Sequence, residues 1–200
     1  AMARRSALAP LLAAAAVCAA ANCLLAPAFA QPARRALLLG AAGALAGQAQ
    51  SALAIEPCKA GANNCWSTAS KDGRTMAPWK FPAGTDKAAA SAALKEVLAA
   101  YPQAGQDGVD LGGWSFAVDE LSSKGYAKLE FKSGLGNFAK WFNGGQPFVD
   151  DLEVEVGADS VAVRSASRLG DSDFNVNAKR LNFIAKALQA KGWDAPTIKV

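Results

Sequence analysis

Beyond residue 54 the chain alternates short apolar patterns with Gly- and Pro-rich punctuation. Ala90, Leu94, Val97, Leu98 and Tyr101 recur at helical spacing between a Thr85-Asp86 cap and Pro102, which predicts a helix over 86–100. Trp114, Phe116 and Val118 alternate with Ser115, Ala117 and Asp119, which predicts a strand. Ala127, Leu129 and Phe131 alternate with Lys128, Glu130 and Lys132 in a second. Asn137 to Phe142 reads as one or two amphipathic turns between glycines. Phe148 to Val156 and Val161 to Arg168, separated by the turn-rich Gly157-Ala-Asp-Ser160, predict a hairpin. Asp173 or Asn175 can cap a last helix running to Lys191, with Leu181, Ile184, Ala185 and Leu188 on one face and Gly192 behind it. Residues 55–84 show no apolar periodicity and read as an N-terminal arm. The order helix, two strands, hairpin, helix predicts an α+β fold over 85–200, an antiparallel sheet with helices packed on one face.

The hairpin can be read in register. Closing it over 157–160 pairs Val156 with Val161, and side chains then alternate between faces. Leu152, Val154, Val156, Val161 and Val163 fall on the core side. Asp151, Glu153, Glu155, Arg164, Ala166 and Arg168 fall on the other, with Glu153 opposite Arg164 and Asp151 between Arg164 and Arg168. Glu153 needs no role beyond its cross-strand ion pair with Arg164. Two clustered arginines beside Asp151 can also present paired donors to a carboxylate or phosphate. Asp150 and Asp151 point to opposite faces, so they cannot flank one reacting bond.

Charge divides the chain. Of the 21 basic residues, Arg4, Arg5, Arg34 and Arg35 precede Ile55 with no acid among them, and the rest equal the 17 acids. Residues 55–200 are formally neutral, which gives no support to a nucleic-acid partner. Residues 1–54 read as a bipartite targeting presequence. Arg4-Arg5, the apolar run Ser6 to Leu25 and Ala26-Pro-Ala28 have the form of a signal peptide that leaves Phe29 as the new N-terminus. Arg34-Arg35, the apolar Ala36 to Ala46 and Ala52-Leu-Ala54 follow in the form of a twin-arginine signal. Two export signals in series resemble the presequences of thylakoid-lumen proteins in algae with complex plastids. The alternative is that residues 6–28 stay uncleaved as a membrane anchor.

Histidine is absent from the whole chain. That composition excludes Ser-His-Asp, Cys-His and His-metal chemistry and leaves no recognisable catalytic constellation. Cys58 and Cys65 are the cysteines outside the leader, and an exported domain with two cysteines is expected to join them in a disulfide. Without His or further Cys they would make a poor zinc site. No metal and no cofactor is expected.

Phe148-Val-Asp-Asp151, Val163-Arg-Ser-Ala-Ser-Arg-Leu-Gly170, and Asp173, Asn177 and Arg180 on the last helix resemble the domain-of-unknown-function family numbered 1499. Cys58 and Cys65, with Asn63-Asn64 and Ser67 around them, look like its opening motif. The resemblance covers most of 56–191 and implies a bacterial or plastid domain, lumenal proteins included, with no established reaction. It marks Asp151, Arg164, Ser165, Ser167, Arg168, Asp173, Asn177 and Arg180 as a binding or structural cluster. Trp66, Trp79 and Trp141 lie in Gly/Pro-rich segments and are candidate interface residues. Together these readings predict a non-catalytic lumenal accessory subunit bound to protein subunits of a photosynthetic membrane complex, with photosystem I favoured. It would meet the membrane only through that partner or an uncleaved leader. The alternative is a lumenal enzyme or carrier holding a small anionic ligand through Arg164, Arg168 and Asp151.

Overall fold

The computed structural model describes residues 55–71, 73–134, 136 and 141–200. The leader, and Asn137 to Lys140 of the expected turn, lie outside these residues.

Residues 55–84 are more than an arm. They contribute two short strands, β1 (Cys65–Ser67) and β2 (Trp79–Lys80), too brief to show a period in the sequence. Helix α1 (Lys87–Ala99) follows, with the Asp86 carboxylate accepting the Ala89 N–H at 2.7 Å. Ala90, Leu94, Val97 and Leu98 form its buried face, and Tyr101 is buried just beyond its end. Four longer strands come next, β3 (Trp114–Glu120), β4 (Tyr126–Lys132), β5 (Val149–Val156) and β6 (Ser160–Ser167). Helix α2 (Val176–Gln189) comes last, and Gly192 beyond it has a left-handed φ of 84°. Asn175 makes no side-chain cap; Asp173 accepts the backbone N–H groups of Asn175 and Asn177 instead.

The strands form one antiparallel sheet in the order β1-β6-β5-β4-β3, and β2 lies beside β1 along the same edge of β6. Val156 pairs with Val161 and Glu153 with Arg164, as the alternation predicts. Leu129, Phe131, Leu152, Val154, Val161 and Val163 cover one face, where Leu94, Leu98, Leu181, Ile184 and Leu188 of the two helices complete the core. The fold is α+β with both helices on one face of the sheet. The other face carries the charged residues of β4, β5 and β6 except Asp150, which points into the interior.

A β-bulge between Phe116 and Val118 changes the face of β3. Trp114 and Phe116 stay over the core, but Val118 moves opposite Lys128 on the outer side, and Asp119 swings round to bind Lys95 of α1 at 2.6 Å. Simple alternation placed Val118 with Trp114 and Phe116; the extra residue reverses that.

Candidate functional site

Alternation along β6 divides the clustered residues between two faces. Ser165 and Ser167 point toward α2, whereas Arg164 and Arg168 project from the outer face. The eight residues therefore build two sites with the sheet between them.

Arg180 anchors the inner one. Its side chain is fully buried, and each of its five N–H donors has an acceptor. Nε and Nη2 grip Asp110 side-on, Nη2 also reaches Asp150 at 2.7 Å, and Nη1 donates to Asn177 at 2.8 Å and to Ser165 at 3.1 Å. The guanidinium lies over the Phe131 ring, 4.4 Å from its centre. Burial lowers its pKa, but the two aspartates more than offset this and raise it. The Tyr101 hydroxyl donates to Asp110 at 2.6 Å; burial first, then that carboxylate, push its pKa well above the ordinary phenol value. It therefore acts as a neutral donor. Asn177, also fully buried, joins the network to Ser167, Asp173 and the carbonyl of Asn64. Five family-like residues, Ser165, Ser167, Asp173, Asn177 and Arg180, thus tie α2 to β5, β6 and the segments around Asn64 and Asp110.

Above this network, at the end of the sheet, lies an apolar slot of about 180 Å³. Val109, Phe148, Leu169 and Phe174 supply its walls, and Asp110, Asp150 and Asp173 reach it from below. Among the described residues, the non-glycine left-handed backbones are Asp107, Asp110, Phe174 and Asn175, all in the two loops that flank it. Phe174, at φ 51°, is the costly one, because a bulky residue seldom adopts that region. The Asp110 loop is also sterically fixed: a Cβ on Gly105 would lie 2.1 Å from the Val109 carbonyl oxygen. Leu169 is 54% exposed and Phe174 75%. Leu111 is exposed beside Gly134, and the β4–β5 connection that lines the slot also carries Trp141, 83% exposed, and Phe142.

The outer face is a ladder of ion pairs. Arg164 binds Glu153 at 2.9 Å. Asp151 lies opposite Ala166, between the two arginines as the register predicts; it takes Arg168 side-on at 2.8 and 3.0 Å and Lys128 at 3.4 Å, and Arg168 also binds Glu130. Arg164 pairs with Glu153, its predicted cross-strand partner. Burial raises the Asp151 pKa, but Arg168 and Lys128 outweigh it and hold the carboxyl below its ordinary value. Cys58 and Cys65 are bonded, with Cα atoms 5.8 Å apart, and pack on Ala166. The loop they close forms one wall of a cleft of about 470 Å³ over Arg164 and Arg168.

The three candidate tryptophans separate. Trp79 is not at an interface: it is wholly buried, because β2 turns it under the sheet edge into the core. Trp66 is half-buried with the Arg74 guanidinium 5.0 Å from its ring, and Trp141 is exposed. Sequence reading missed Asp110, Tyr101, Lys128, Glu130 and the inward role of Asp150. For Asp150 a signal existed: an acid at a core-facing strand position needs a buried cation.

Comparison with curated proteins and with solved structures finds no match. A family profile described as "Protein of unknown function (DUF1499)" matches residues 54–188. That span holds Asp110, Asp150, Asn177 and Arg180, and so the whole buried network, together with both cleft arginines and the disulfide. The chain belongs to the DUF1499 family.

Proposed function

We propose that the protein is a non-catalytic accessory subunit of the thylakoid lumen that docks through the apolar end of its sheet onto a protein subunit of a photosynthetic membrane complex, photosystem I being favoured. The observation that carries the docking is the slot. Its volume, about 180 Å³, is below the roughly 300–1,000 Å³ of small-molecule sites. It suits one large apolar side chain inserted from a partner. The exposed Leu169 and Phe174 line it, and Leu111, Trp141 and Phe142 add exposed apolar area on the loop before β3 and on the β4–β5 connection. The Arg180 network holds the flanking loops in place, so the slot is preformed and little ordering is left for binding. The compartment and the complex rest on the tandem export signals in residues 1–54.

Native electrophoresis of thylakoid membranes tests this. The wild-type chain should co-migrate with a photosystem band. Leu169→Asp and Trp141→Ala should each release it with an unchanged melting temperature. Migration free of every complex, or equal binding to protein-free vesicles of thylakoid lipids, would overturn the reading.

A further inference from the structure

We infer that the cleft on the outer face, between the disulfide-closed loop and Arg164, binds the carboxylate of a small organic monoanion. This site lies on the opposite side of the sheet from the slot and does not depend on the docking reading.

Arg164 supplies the first observation. Its Nη1 donates to Glu153 at 2.9 Å, but its Nε–H is buried with no acceptor among the described residues. An unsatisfied buried donor on a charged group is destabilising, and an arriving acceptor relieves it. Arg168 shows what that edge is built for, since its Nε and Nη2 hold the Asp151 carboxylate side by side. The matching edge of Arg164 is a second carboxylate fork without its carboxylate. The Nε–H is buried while Arg164 itself lines the cleft, so pairing with a ligand there requires this edge to turn toward the cleft.

The cleft around it fixes the ligand class. At about 470 Å³ it falls within the size range of small-molecule sites. Lys59, Arg164 and Arg168 line it together with Asp151 and Asp171, and Glu153, Glu130 and Lys128 pair with the lining charges, so the local charge is close to balance. A carboxylate matches the two donors of the free edge and adds one negative charge, whereas a phosphate dianion adds two beside Asp151 and Glu153. The loop wall adds Lys59 on a segment pinned at both ends by Cys58 and Cys65, so the ammonium is kept near the mouth without a long chain to order.

Arginine Nε–H resonances of the full chain, followed by NMR during titration with acetate, succinate and inorganic phosphate, test the inference. Acetate should shift the Arg164 Nε–H signal saturably, and phosphate should bind about tenfold more weakly or not at all. Arg164→Lys keeps the charge and loses the fork, and should weaken acetate binding about tenfold. Should that variant fail to fold, Lys59→Ala removes an exposed charge and should weaken binding severalfold while the Arg164 signal still moves. An Arg164 signal unmoved by acetate, phosphate binding as tightly as acetate, or an unchanged acetate affinity in Arg164→Lys would each overturn it.

Discussion

Arg180 of α2 and Asp150 of β5 meet at 2.7 Å in the interior, with Asp110 gripping the same guanidinium from the loop before β3. Three segments far apart in the chain are thus fixed to one cation. Removing that cation leaves two buried carboxylates uncompensated. Arg180→Met should therefore cost about 3–5 kcal/mol in denaturant unfolding. Arg180→Lys should recover little of it, since an ammonium cannot meet five acceptors.

Asp151 and Arg168 make a weaker, exposed pair. Its folded carboxyl pKa is depressed, so its stabilisation is complete above the unfolded pKa and is lost as pH falls through the folded one. Melting temperature should thus drop on the acid side of about pH 4, where unfolded aspartates titrate. Asp151→Asn should reduce that drop. Arg168→Ala at neutral pH should cost about 1 kcal/mol or less.

The tryptophans give a paired test. Trp79→Ala should destabilise by about 3–5 kcal/mol, as large core truncations do. Trp79→Phe should cost much less, because the buried indole N–H has no acceptor to lose among the described residues. Trp141→Ala should leave the melting temperature unchanged. Equal effects at the two positions would contradict their burial.

The disulfide closes a sequence separation of seven residues. For so short a loop, a chain-entropy estimate gives about 2–3 kcal/mol. A Cys58→Ser, Cys65→Ser double variant should unfold earlier by that amount and keep its secondary structure by circular dichroism. Unfolding at neutral pH without loss of stability would show the cross-link to be dispensable.

The hairpin register, the α1 face and the helix-on-sheet architecture were legible because each rests on local periodicity. Leu94 and Leu98, or Val154 and Val163, announce their side by spacing alone. Asp110 announces nothing: its partner is 70 residues away, and its left-handed backbone depends on the loop around it. Trp79 misled because a two-residue strand is below the length at which alternation can be seen. The resemblance grouped eight residues as one cluster, whereas the pleat of β6 sends Ser165 and Ser167 inward and Arg164 and Arg168 outward.

The bulge at Ala117 has a bearing on solubility. β3 is the outermost strand on its side of the sheet, with a row of backbone groups that another chain could extend. The extra residue breaks the even spacing of that row, and Asp119 and Glu120 set charge along it. An incoming strand would lose register within a few residues and would bury carboxylates as it paired. Growth of the sheet from copy to copy is thereby discouraged, so the chain can be concentrated without polymerising through this edge.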